Sequence, residues 1–305
     1  MSGFTARNIP DQHGRTALVT GANTGLGFWT AVHLAKAGAR VLIGSRSAAR
    51  GAEALRRLRD EAPGSEADVL PLDLSSLGAV EDAAGRMREG EDQLDLLVNN
   101  AGVMMPPYGT TADGFEFQLG VNHLGHFALT GHLLPLLAAA PAARVVNVSS
   151  LAHRDAEIFF DDLQAEQSYS AASRYGQSKL ANLLFTFELD RRLRATGSSV
   201  RALAAHPGIA STKLIRHYPG PVRLLMPLVG LILNSAEQGS WPSLMAATSP
   251  DVDGGDYVGP TRFREMSGPA GPAASTTTAN DEALQGRFWD VSVELTGIDP
   301  LATLT

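Results

Sequence analysis

Thr20-Gly21-Ala22-Asn23-Thr24-Gly25-Leu26-Gly27 follows the apolar run Thr16–Thr20 directly and opens a helix-length amphipathic stretch, Leu26–Ala37. Glycines at such a junction let the backbone turn tightly and come close to a ligand. The first N–H groups of the helix then face that ligand with the positive end of the helix dipole. Strand, glycine-rich turn and helix in that order are read as a pyrophosphate-binding turn of a dinucleotide site. Its spacing is Gly-x-x-x-Gly-x-Gly rather than the commoner Gly-x-Gly-x-x-Gly.

Outward from the turn, short apolar runs alternate with longer amphipathic ones. The strand candidates are Thr16–Thr20, Arg40–Gly44, Ala67–Leu72, Leu94–Asn99, Ala143–Ser149, Ser199–Ala205 and Asp256–Val258. Helix-length segments lie between them at Leu26–Ala37, Ala48–Glu61, Leu77–Arg88, Phe115–Ala139, Tyr175–Ala195 and Ser235–Ala247. The early strands are apolar throughout, as in a parallel sheet covered on both faces. This alternation predicts an α/β fold: one domain, a doubly wound parallel sheet of seven strands, helices on both faces. Residues 1–14 read as an N-terminal extension, 15–262 as the main body and 263–305 as a C-terminal loop and helix packed on it. Within the last part, the low-complexity stretch Ser267–Ala279 predicts an irregular surface loop before a final helix near Asp281–Leu295.

Composition narrows the function. A chain of 305 residues with 44% hydrophobic content can bury a substantial core. Its formal charge of −7 argues against nucleic-acid or anionic-membrane binding. The absence of cysteine removes disulfides, thiol nucleophiles and thiolate metal sites, and no His/carboxylate cluster has metal-ligand spacing. Met1–Gly14 has no apolar signal core, and the greasiest run, Pro221–Leu233, is too short to span a bilayer. A cytoplasmic protein with no stable membrane insertion is the expectation.

The second strand ends in Val41-Leu42-Ile43-Gly44-Ser45-Arg46. An NAD site usually has a carboxylate there for the ribose 2′-hydroxyl. Here Ser45 is followed by an arginine, which pairs well with a 2′-phosphate. NADP(H) is favoured over NAD(H), although an Arg46 that only closes a loop would leave the choice open. Farther on, Tyr175-Gly176-Gln177-Ser178-Lys179 places a phenol and an ammonium four residues apart, on one helix face. An adjacent ammonium favours the phenolate and brings proton exchange towards neutral pH.

Taken in order, the landmarks resemble the short-chain dehydrogenase/reductase family over roughly residues 14–260. They are the Thr20–Gly27 turn, Asp73 after the third strand, Asn99-Asn100-Ala101-Gly102 after the fourth, Asn122, Ser149-Ser150, Tyr175-x-x-x-Lys179 and His206-Pro207-Gly208. The resemblance implies a Rossmann fold and a catalytic set of Asn122, Ser150, Tyr175 and Lys179. Tyr175 would be the general acid/base, and Lys179 would lower its pKa and hold the nicotinamide ribose. Ser150, the second serine of its pair, would hydrogen-bond the substrate oxygen, and Asn122 would position a water that relays protons to Lys179. The cofactor set it implies is Gly21, Asn23, Thr24, Gly25, Leu26, Gly27, Ser45, Arg46, Asp73, Leu74, Asn100, Ala101, Gly102, Pro207, Gly208 and Thr212, together with Tyr175 and Lys179. Asn99 would brace the sheet, Ser149 would be a strand-end hydroxyl, and His123, His126 and His206 receive no catalytic role.

Ser150 and Tyr175 stand 25 positions apart, and the added length falls in Leu151–Ala172. With Asn122-His123-Leu124-Gly125-His126-Phe127 and Ser178-Lys179-Leu180-Ala181-Asn182, this is similar to the retinol-dehydrogenase-like and protochlorophyllide-reductase-like branch. That branch implies a lipophilic aldehyde, ketone or alcohol as the small-molecule substrate. No N-terminal membrane anchor is expected from Met1–Gly14, and the cysteine of the light-driven reductases is absent, so retinoid or chlorophyll chemistry is not carried over. By position, residues 213–235 would form the substrate-covering segment, and its apolar residues suit a pocket wall, a core or oligomer helix, or, less well given its sparse positive charge, a membrane contact. A homo-oligomer is compatible with the family. Two competing readings are a catalytically silent dinucleotide-binding regulator and a nucleotide-sugar epimerase or dehydratase on the same scaffold.

Overall fold

The computed structural model describes residues 3–209 and 234–302. Among these, eight strands form one sheet: Thr16–Thr20 (β1), Arg40–Ser45 (β2), Ala67–Pro71 (β3), Leu96–Asn99 (β4), Arg144–Val148 (β5), Arg201–Ala205 (β6), Tyr257–Arg262 (β7) and Ser267–Pro272 (β8). Their order is β3-β2-β1-β4-β5-β6-β7-β8, parallel through β7, with β8 antiparallel to β7. The helices are Gly25–Lys36 (α1), Ala48–Glu61 (α2), Leu77–Gly90 (α3), the single turn Phe117–Leu119 (α4), Gly125–Ala139 (α5), Ala171–Ala195 (α6), Trp241–Thr248 (α7) and Glu282–Thr296 (α8).

Alternate strand residues enter two separate cores, because successive side chains of a strand point to opposite faces. Ala17, Val19, Val41, Ile43, Val98 and Leu203 pack with α1, α2 and α7. Their neighbours Leu18, Leu42, Leu97, Val145 and Ala202 pack with α3, α5 and α6. The strand order reverses between β1 and β4, and in open sheets of this kind a crevice opens there, at the carboxyl ends of the strands.

Three expectations are corrected. The sheet has eight strands, not seven, because the first part of Ser267–Ala279 is strand β8 rather than loop. Ser-Gly-Pro-Ala-Gly-Pro holds no β-branched or aromatic residue, so its extended form comes from its neighbours. One edge pairs with β7, and on the other Phe4 N donates to Ala270 O and Ala270 N to Phe4 O, both at 2.8 Å. Phe115–Ala139 is not one helix either: a π-helical segment, Gly120–Leu124, interrupts it between α4 and α5. Ser235–Ala247 narrows to a 3₁₀ turn, Gln238–Ser240, leading into α7. Thr212 and residues 213–233 of the expected covering segment lie outside the described residues.

No described helix is long and apolar enough to cross a membrane. The β7–β8 connection is strained: Phe263, Arg264 and Glu265 have φ of 51°, 55° and 67°. Left-handed backbone costs a non-glycine residue roughly 1–2 kcal/mol.

Candidate active site

A cleft of about 430 Å³ opens at the strand-order reversal. Its walls come from four loops: Gly21 and Asn23 to Gly27 after β1, Ser45 and Arg46 after β2, Asp73 and Leu74 after β3, and Asn100 to Gly102 after β4. Every cofactor residue expected between Gly21 and Gly102 meets here. Gly21 has φ of 65°, and a Cβ on it would stand 2.9 Å from Ala101 Cα. At Gly27 a Cβ would come within 2.3 Å of Asn100 Nδ2 and 2.9 Å of Gly21 O. These two glycines are required by the close approach of the β1 and β4 loops. Thr20 ties the same loops together, its Oγ1 accepting from Asn100 N and Ala101 N at 2.9 Å each.

The residues present fit a phosphorylated dinucleotide. Thr24, at the start of α1, makes no capping hydrogen bond with its side chain, so the first N–H groups of that helix stay available to an anion. Among the described residues nothing lies within 4 Å of a Cβ placed on Gly25. Arg46 lines the cleft together with Arg50, and among the described residues neither guanidinium is paired with a carboxylate. Asp73 turns one oxygen to Ser75, accepting from its N at 3.0 Å and its Oγ at 2.6 Å, which leaves Oδ2 for a ligand.

The inner end of the cleft adjoins the tyrosine–lysine helix. A Cβ on Gly102 would lie 3.1 Å from Asn122 Oδ1 and 3.6 Å from Lys179 Nζ. Tyr175 and Lys179 share a face of α6, with Nζ 5.8 Å from the centre of the phenol ring. Tyr175 is half-buried, whereas Lys179 is buried and donates to Val148 O at 3.0 Å. Burial pushes its pKa down to about 8.

The two serines differ in surroundings. Ser149 Oγ is buried and donates to Lys179 O at 2.8 Å, a bond between strand end and helix. Ser150 is half-buried and caps a 3₁₀ turn, Leu151–His153, accepting from Ala152 N at 3.2 Å. Asn122 sits in the π segment, where π-bulges often mark functional positions. Its side chain accepts from Val103 N at 2.7 Å and donates to Val103 O and Ser178 Oγ, both at 2.9 Å. Ser178 Oγ donates in turn to Tyr175 O at 2.8 Å. Asn99 Nδ2 donates to Asn147 Oδ1 at 2.9 Å, bracing β4 against β5.

His123 and His126 are both buried. His126 lies 2.9 Å from Thr20 Oγ1 through Nε2 and 3.0 Å from Asn122 O through Nδ1. A carbonyl only accepts, so Nδ1 carries the ring proton and Nε2 takes the Thr20 hydroxyl. Burial pushes this histidine down to about 4, so it remains neutral. The inserted Leu151–Ala172 region folds back on α6, where Arg174 pairs with Asp162 at 2.7 Å and Phe159 N donates to Gln177 Oε1 at 2.8 Å. Pro207 and Gly208 follow β6 beside the β7–β8 turn and do not line the cleft among the described residues.

Some lining residues had no counterpart in the sequence reading. Arg50 lies in the first turn of α2, where the helix dipole disfavours a cation and no acidic residue stands. That placement was the readable signal. Val103, Met104, Phe117 and Val121 form an apolar wall, and no spacing announces them.

A doubly wound sheet with an anion-ready helix start at its reversal point, and a tyrosine–lysine pair at the inner end of the cleft, defines a dinucleotide-dependent oxidoreductase. Residues 15–219 match the family model described as short chain dehydrogenase, and the chain belongs to that family. It is 44% identical to Retinol dehydrogenase 14 of Mus musculus over 302 residues, covering 94% of this chain and 87% of the relative. Polyprenol dehydrogenase of Homo sapiens is 36% identical over 303 residues, covering 97% and 89%. Among solved structures, an uncharacterized protein from Mycobacterium paratuberculosis superposes with a TM-score of 0.82 at 40% identity, covering 98% of this chain and 99% of the other. A Pseudomonas aeruginosa RhlG/NADP active-site complex superposes at 0.64 with 26% identity, covering 81% and 94%. The chain is thus a short-chain dehydrogenase/reductase of the retinol-dehydrogenase-like branch, an NAD(P)-binding enzyme that interconverts carbonyl and alcohol groups.

Proposed function

We propose that this enzyme uses NADP(H) to interconvert a lipophilic aldehyde or ketone and its alcohol, with Tyr175 as general acid/base. The observation that carries the reading is the buried Lys179 beside Tyr175, at the inner end of a cleft whose rim holds two arginines unpaired among the described residues. Bound in that cleft, NADPH supplies the hydride. Tyr175 gives its hydroxyl proton to the carbonyl oxygen as that oxygen becomes negative, and Ser150 Oγ donates a hydrogen bond to the same atom. The Lys179 ammonium stabilises the phenolate that remains. Asn122, held by Val103 and Ser178, would take part in the relay that returns the proton. In the oxidising direction each transfer runs backwards. The apolar wall of Val103, Met104, Phe117 and Val121 and the names of the retinol and polyprenol relatives support a lipophilic substrate.

The reading is tested by following NADPH and NADH oxidation across a panel of lipophilic aldehydes, ketones and quinones, with Tyr175→Phe run alongside. NADPH-dependent turnover that disappears in the variant is expected. Equal turnover by both proteins would remove Tyr175 from the chemistry. Arg46→Asp addresses the cofactor directly. Losing a charge-assisted contact and adding a repelling carboxylate should weaken NADPH by roughly 10- to 100-fold relative to NADH. Arg50 limits the loss by remaining as a second cation. An unchanged NADPH/NADH ratio of kcat/KM would take Arg46 away from the 2′-phosphate.

A further inference from the structure

Phe263-Arg264-Glu265-Met266, the turn between β7 and β8, carries no motif, yet it touches both loops that flank the reaction centre. Glu265 Oε2 accepts from Arg154 Nη2 at 2.7 Å and lies 3.1 Å from His206 Nε2, while Oε1 accepts from Ala274 N at 3.2 Å. Arg154 directly follows the 3₁₀ turn that Ser150 caps. His153 in that turn bonds back to Ser150 O through Nδ1 at 2.7 Å.

On the other side, His206 Nδ1 accepts from Gly208 N at 3.2 Å, so its proton is on Nε2 and is donated to Glu265. Ile209 N donates to Met266 O at 2.8 Å, and a Cβ on Gly208 would stand 2.4 Å from that same oxygen. The buried rings of His153 and His206 both pack on Tyr257, at 5.5 Å and 5.1 Å between centroids. Glu265 reaches between the two loops only because three consecutive non-glycine residues adopt left-handed backbone. Strain of this kind persists where surrounding contacts over-determine it, and it concentrates at functional sites.

We propose that Glu265 is a positioning residue, its carboxylate fastening the Ser150 loop through Arg154 and the Pro207–Gly208 loop through His206. It thereby sets the spacing between the substrate oxygen and the nicotinamide end of the cofactor. The proposal rests on the role given above to Ser150 and on Pro207–Gly208, cofactor residues by the family resemblance, meeting the nicotinamide end. Reacting groups shifted by about 1 Å lose up to ~100-fold in rate. An alignment role therefore appears in kcat more than in binding at the distant Arg46 end.

The test compares Glu265→Ala, Glu265→Gln and Arg154→Met with the unaltered protein. In Glu265→Ala, kcat should fall about tenfold or more and the isotope effect with 4-deuterated NADPH should rise. The Kd for adenosine 2′,5′-bisphosphate should stay within about threefold, since that probe touches only the Arg46 end. Glu265→Gln should fall between, because its amide faces an N–H donor on one side or the other. Arg154→Met alters a partly exposed side chain and keeps the test decisive if Glu265→Ala does not fold; its kcat should fall several-fold. Without cofactor, amide exchange at 151–154 and 208–209 should quicken in Glu265→Ala and stay unchanged at 21–27. A kcat within about twofold of the unaltered protein in every folded variant, or unchanged exchange in both loops, overturns the proposal. If instead Tyr175→Phe turns over as fast as the unaltered protein, the functional reading fails, while the exchange result still decides whether Glu265 ties the loops.

Discussion

Tyr175→Phe is expected to slow NADPH-dependent turnover by about 10²- to 10⁴-fold, the usual worth of a positioned general acid. The substitution deletes one hydroxyl and keeps the ring. The ring packs half-buried on α6, and the Lys179 ammonium lies 5.8 Å from its centre, so packing and the cation–ring contact both survive. The residues of the β1, β2, β3 and β4 loops proposed to hold the dinucleotide are untouched. NADPH affinity, read by nicotinamide fluorescence, should therefore change little, and the loss should fall on kcat. A variant that lost affinity and kept kcat would mean that the hydroxyl binds cofactor rather than transfers a proton.

The parts of this architecture readable in the sequence are those in which one local pattern has one physical solution. β1 and β2 are buried almost along their whole length, so their apolar runs coincide with the strands. Gly21 and Gly27 stand where a methyl group would collide with the β4 loop, so the turn could be recognised from glycine spacing. Tyr175 and Lys179 could be paired because a helix sets their relation. Features that depend on partners distant in the chain were not legible. Ser267–Pro272 is extended because β7 and Phe4 hydrogen-bond its two edges, against its own composition. Asn122 lies in a π segment that a helical pattern over Phe115–Ala139 does not betray. Glu265 and Arg154 are 111 positions apart, and they meet only through the sheet order together with the left-handed turn at Phe263–Glu265.

Lys179→Met is expected to stabilise the protein at neutral pH while disabling it. The Lys179 side chain is buried, and burial pushes its pKa from the ordinary 10.5 to about 8. In the unfolded chain the lysine regains its ordinary value, so between about pH 8 and 10.5 the unfolded state holds more protons than the folded one. The destabilisation from this group is therefore complete below pH 8 and fades as pH rises towards 10.5. At about 1.36 kcal/mol per pH unit, it is on the order of 3 kcal/mol at pH 7. Methionine fills a similar volume without the charge. Val148 O, which loses the Lys179 donor, still accepts from Asn182 Nδ2 at 3.0 Å. Without cofactor, the melting temperature at pH 7 should thus rise by roughly 5 °C, with the gain shrinking between pH 8 and 10.5. Turnover should fall in the same variant, because the phenolate of Tyr175 loses its counter-charge. A variant less stable than the parent at pH 7, or a gain independent of pH, would show that the buried ammonium is compensated in the fold. The combination expected here, greater stability with lost turnover, is the mark of a charge retained for chemistry against the preference of the core.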